Sequence, residues 1–156
     1  MTVRYTAIGE LIPALVTILT SALSIPVYDG GTAFIPSDTS YVIIGGTEVD
    51  PNQVDSEMAE MVQDWHGLGA KGKLEDIMVH CLAVGRADTA ANARLAALAV
   101  VESVAAAIPE KPSPHTYNAT LGNVNRLEKG GAQQSGFTVH ATFTIESKAR
   151  LVPIED

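Results

Sequence analysis

Residues 137–146 alternate without a break. Phe137, Val139, Ala141, Phe143 and Ile145 take one set of positions, and Thr138, His140, Thr142, Thr144 and Glu146 the other. A period of two sends successive side chains to opposite faces of a strand. One face must therefore be buried, while the other is open to water or a partner. Upstream, Tyr117, Ala119 and Leu121 alternate with Asn118, Thr120 and Gly122. Between the two runs lies a polar tip at about 127–136, with Gly130-Gly131 and two glutamines. The last third of the chain thus reads as a long β-hairpin. Connections of that length that lack a structural task usually carry function or stay mobile.

A second hairpin is written into residues 57–86. Its centre, Gly67-Leu-Gly69-Ala-Lys-Gly72-Lys, fits the phosphate-cradling spacing G-x-G-x-x-G. A dinucleotide fingerprint has to follow a strand and open a helix, so that the helix N-terminus meets the pyrophosphate. Here the following segment, 74–84, alternates instead: Ile77, Val79, Cys81 and Ala83 against Asp76, Met78, His80 and Leu82. The chain also lacks the H-R-D and D-F-G signatures that accompany a kinase glycine loop. The stretch reads as a wide turn between antiparallel strands, with 57–65 as the partner of 74–84.

Two helices complete the pattern. Ile8, Leu11, Ile12, Leu15, Ile18, Leu19 and Leu23 share one face of a helix over 6–23. Pro13 opens or kinks it and Pro26 marks its end. Residues 11–27 carry no charge, as in a secretory signal or a membrane span. Glu10 and Pro13 interrupt the run, however, threonines and serines dilute it, and a span needs about 20 strongly apolar residues. A packed amphipathic helix is the expectation. The second helix covers 88–108, capped by Asp88 or Thr89, with Leu95, Leu98, Val101, Ala105 and Ile108 as its buried stripe and Pro109, Pro112 and Pro114 beyond it. Val27-Tyr28-Asp29-Gly30-Gly31 reads as a short strand leading into a turn, and a further short strand is expected at 41–44, stopped by Gly45-Gly46.

These elements predict a single α+β domain over 1–150, a mostly antiparallel sheet with two main helices packed on one face, and a C-terminal tail at 151–156. With 156 residues, 46% of them hydrophobic and 18% charged, the chain can bury one sizeable core. A net charge of −8 argues against a surface that grips nucleic acid, though not against a wall that nucleic acid passes without sticking. The one cysteine, Cys81, excludes an internal disulfide.

The usual catalytic and metal signatures are missing. His80 and Cys81 are neighbours on a strand, so their side chains point to opposite faces and cannot act as a dyad. His66, His115 and His140 show no metal-ligand spacing. Asp50, Asn52, Asp55 and Glu57 lack the glycine and closing glutamate of a calcium loop. Asp64, Glu75 and Asp76 flank the central turn as paired carboxylates would, or as the charged edge common on hairpins. Asn118-Ala119-Thr120 fits the glycosylation sequon by pattern only. No catalytic, cofactor-binding or metal-binding residue is expected. Sparse charge and threonine-rich strand faces point to a protein that lives in an assembly.

The order of elements resembles the tail-terminator, or tail-completion, proteins of long non-contractile-tailed phages, especially those of actinobacterial hosts. The likeness rests on Tyr28, Asp29, Gly30, Val42, Gly45, Trp65, Gly67, Gly69, Glu75, Gly85 and Arg94, and spans nearly the whole chain. The resemblance implies a structural virion protein with no enzymatic activity and no cofactor. It would form a homohexameric ring on the head-proximal end of the tail tube, assembled in the host cytoplasm. The ring would end tube polymerisation and meet the head–tail connector. DNA would pass through without specific binding, and no membrane would be involved. On that reading the polar tip is the interface, with Glu128, Lys129, Gly130, Gly131, Gln133 and Gln134 as its candidate residues. The alternatives are a head–tail connector subunit and, in a different class, a small enzyme or ligand-binding domain using the sheet face near His80 and His140.

Overall fold

The computed structural model describes residues 6–30, 38–47, 57–64, 73–129 and 136–151. Among these, two helices and six strands run in the order α1 (Ile8–Ala22), β1 (Val27–Asp29), β2 (Ser40–Ile44), β3 (Ala59–Asp64), β4 (Lys73–Ala87), α2 (Ala90–Ala107), β5 (Thr116–Lys129) and β6 (Phe137–Leu151). They form an α+β fold on one sheet of order β1-β2-β4-β6-β5, with β3 also paired to β4. Every pairing is antiparallel except β1 with β2.

The long strands β4 and β6 make the spine, paired from Lys73↔Leu151 to Ala87↔Phe137. The period-two patterns place their side chains as expected. Ile77, Val79, Cys81 and Ala83 join Val139, Ala141, Phe143 and Ile145 in the core beneath both helices. The alternation continues past Ile145, with Ser147, Ala149 and Leu151 buried and Glu146, Lys148 and Arg150 exposed. Leu151 is only 2% exposed, so it closes β6 rather than beginning a tail; 152–156 lie outside the described residues.

Helix α1 buries Leu11, Ile12, Leu15 and Leu19 and keeps Pro13 on its exposed side, inside the helix rather than at its start. The expected stripe of α2 is corrected. Ala93, Ala97, Val100, Val101 and Val104 face the sheet, Ala105 is exposed and Leu95 is 65% exposed. The cause is a close approach. A Cβ on Gly85 of β4 would clash with the Ala97 amide nitrogen and lie 2.8 Å from the Ala93 carbonyl oxygen. Where backbones come that near, only small side chains fit between them, so alanines and valines form the contact and the larger leucine turns outward. Thr89, not Asp88, is the cap, its hydroxyl accepting from the Asn92 N–H at 3.1 Å. α2 is long and apolar enough to cross a membrane by length and composition, but its buried face packs on the sheet.

The far face of the sheet is not uniformly open. Tyr41, Ile43, Leu82 and Val84 form a second buried cluster there, joined by Tyr28, whose ring meets that of Tyr41 edge-on at 5.8 Å. Thr138 and Thr144 are also buried, so the threonine face of β6 is partly covered. The open part of this face lies over β3 and the neighbouring ends of β4, β5 and β6. There Glu60, Val62, Asp76, Met78, Thr120, Glu146 and Lys148 line a shallow groove of about 520 Å³.

Candidate functional site

The polar tip divides. Glu128 and Lys129 belong to β5 and pair with His140 and Val139, while Gly130, Gly131, Gln133 and Gln134 lie outside the described residues. Strand pairing thus continues into what the sequence presents as loop. Glu128 is exposed, and its carboxylate meets Arg126 Nε at 3.1 Å, a surface pair worth little stability on its own. β5 carries register irregularities between Tyr117 and Arg126, with Asn118 at φ 55°. Such bulges twist an outer strand and interrupt its pairing. Val124 and Leu127, at 43% and 44% exposure, leave apolar side chains along this edge.

The other side of the sheet ends partly in β3, which among the described residues pairs only with β4. Met61 and Val62 on β3, and Met58 just before it, are 45%, 69% and 55% exposed. Alternation puts Met61 on the helix side of the sheet and Val62 on the opposite side. The glycine-rich segment 67–72 lies outside the described residues; β3 and β4 flank it as an antiparallel pair.

At His80 the partner of β4 changes. β3 pairs with β4 from Leu74 to Val79, and β2 from Cys81 to Gly85. His80 sits between them and is anchored by its backbone. Its N–H donates to the Met58 carbonyl at 3.0 Å, and its carbonyl accepts from Gly45 at 2.9 Å and Gly46 at 3.0 Å. Gly45 adopts φ +84°, which lets the chain turn directly into this double contact. The imidazole points away from the helices, and its Nε2 lies 3.4 Å from a Glu60 carboxylate oxygen and 3.9 Å from one of Glu57. The sequence reading places no metal ligand here. Neither the His pattern nor the acidic 50–57 stretch signals it, because the three residues converge only across the strand pair.

Other candidates are kept apart. His140 pairs with Val84, four positions along β4 from His80, which at about 3.3 Å per residue separates the two histidines by roughly 13 Å. Cys81 lies on the opposite face from His80, fully buried, and desolvation pushes its thiol up to about 12. Glu75 and Asp76 also diverge, and Glu75 is fully buried rather than part of a solvated hairpin edge. His115 Nδ1 is 3.0 Å from Glu10 on α1, whose carboxylate also accepts from the His115 N–H at 3.2 Å. This contact ties α1 to the start of β5. Tyr28 donates to Asp38 at 2.7 Å, and that bond raises its pKa; burial does the same for Tyr41.

The sequence matches no protein-family model and no curated protein.

Proposed function

We propose that this protein is a structural subunit of a phage tail. It would be a terminator that assembles as a homohexameric ring on the head-proximal end of the tail tube, stops tube growth and receives the head–tail connector. The observation that carries the reading is the pair of unlike apolar edges. Val124 and Leu127 project from β5 on one side of the sheet, while Met58, Met61 and Val62 project at β3 on the other. A ring of identical subunits uses two different patches, each meeting the other on its neighbour. Exposed apolar side chains at opposite edges of one sheet suit that head-to-tail geometry, and the sparse charge of the chain suits permanent burial in an assembly. The net charge of −8 would then keep DNA from adhering as it passes through the ring.

A head–tail connector subunit is the neighbouring reading, and it differs in which partner the ring binds. A ligand-binding or enzymatic use of the sheet face near His80 and His140 draws less support, since the register separates the two histidines. The test is native mass spectrometry of the purified chain across a concentration series, followed by co-sedimentation with tail-tube protein. A closed ring that binds tube ends supports a terminator. A ring that binds only portal or connector protein moves the assignment to the connector, and a monomer at all concentrations removes both.

A further inference from the structure

We infer that Glu57, Glu60 and His80 form a binding site for a borderline divalent transition cation, zinc foremost. The three donor atoms lie within 4.8 Å of one another, drawn from the segment leading into β3, from β3 itself and from β4. Two donors about 2.1 Å from a common tetrahedral zinc stand roughly 3.4 Å apart, and a wider angle at the metal carries them toward about 4 Å. His80 Nε2 lies 3.4 Å from Glu60 and 3.9 Å from Glu57, inside that range.

A second observation comes from the imidazole itself. His80 Nε2 is shielded from solvent yet makes no hydrogen bond among the described residues, although two carboxylates stand beside it. A buried polar nitrogen left without a partner is costly. A cation held between Nε2 and the carboxylate oxygens satisfies it. Three backbone hydrogen bonds fix the position of His80, so that ligand is preorganised. Glu57 and Glu60 are exposed and free to close by small side-chain rotations. One imidazole nitrogen with two carboxylates selects zinc, cobalt or nickel over magnesium, which prefers oxygen ligands and keeps its waters. Three protein ligands leave at least one position to water or to a donor from another molecule. Metal binding would also tie the segment entering β3 to β4, stiffening the edge that carries Met58, Met61 and Val62. The site stands independently of the assembly reading, because metal binding is measured on the isolated chain.

The test is calorimetric titration of the metal-stripped full-length protein with zinc chloride, together with the visible absorption of its cobalt form. His80→Ala, Glu60→Gln and His140→Ala are measured alongside. The expected result is one zinc per chain, a cobalt spectrum of low coordination number and no competition from equimolar magnesium. His80→Ala and Glu60→Gln should each weaken binding about ten-fold or more, since even residues that only orient a metal ligand cost that much. His140→Ala should leave binding unchanged. Circular dichroism checks each fold. Should His80→Ala fail to fold, the exposed Glu60→Gln decides alone. Absence of binding would leave the cluster an imidazole–carboxylate ion pair, and binding indifferent to Glu60→Gln, loss in His140→Ala, or equal affinity for magnesium would place the metal elsewhere or make it a different ion; each overturns the inference.

Discussion

The carboxylate of Glu75 on β4 accepts a hydrogen bond at 2.8 Å from the backbone N–H of Ala7, 68 residues away in the chain. Ala7 precedes α1 and has no side chain able to cap it. The first N–H groups of a helix lack internal partners, and an anion there also meets the positive end of the helix dipole. Glu75 fills that place from a neighbouring strand. It takes a second bond from the Thr6 hydroxyl at 2.9 Å and a third from the Gln63 side-chain amide, so it is fully buried yet satisfied.

Glu75→Ala removes the acceptor and leaves buried donors at the start of α1. The expected loss is about 1–3 kcal/mol, the usual cost of unpaired buried polar groups. Glu75→Gln keeps the shape and one acceptor and should lose less. Urea melts of both variants check the order; equal and negligible losses would show that the contact does not hold α1.

The exposed face of α2 and the spine of the sheet should respond very differently to truncation. Phe143 is fully buried in β6 under the helices, so Phe143→Ala should cost about 3–5 kcal/mol. Leu95 is 65% exposed, so Leu95→Ala should change stability by no more than about 0.5 kcal/mol. Had Leu95 belonged to the buried stripe, its truncation would cost several times that. Denaturant melts of the pair separate the two placements.

The Cys81 thiol is held neutral by burial, its pKa raised from 9.0 to about 12. The unfolded thiol ionises first, so its contribution to stability is intact below pH 9 and is lost as pH rises toward 12. Native protein at pH 8 should therefore resist a thiol-specific dye and release one reactive thiol on unfolding. Cys81→Val should move the midpoint of alkaline unfolding upward. Rapid labelling of the native chain would place the thiol at the surface instead.

Strand pairing extends to Lys129↔Val139, so a shortened hairpin should spare Glu128 and Lys129. Replacing 130–135 by a short Gly-Asn turn should leave thermal melting within about 0.5 kcal/mol of the parent. It should weaken ring formation or tube attachment, read by native mass spectrometry and by complementation of tail assembly. Normal-length, DNA-filled infectious tails would remove the tip from the interface.

Much of the fold was legible because its signals are local. The alternation of β6 and of β4 reports a face, whatever the partner strand. The spacing of Leu11, Leu15 and Leu19 reports a helix whose exposed faces carry Pro13 and Thr17. Hairpin pairing of β3 with β4, and of β5 with β6, follows from proximity in sequence. The short strand at Val27–Asp29 was legible from its own residues and from the glycine that ends it, Gly30, where φ is 67°.

The sequence by itself determined the class of fold, the antiparallel hairpins and the separation of His80 from Cys81, because periodicity and chain direction suffice for these. The tertiary structure decided which face of α2 is buried, since the stripe depends on how closely Gly85 lets the helix approach, and no helical period encodes that distance. It also decided that Glu75 caps a helix it does not belong to. In the same way, it brought Glu57 and Glu60 to His80 across a strand pair. Each of these joins residues through space, where geometry set by packing rather than spacing along the chain determines what a carboxylate meets.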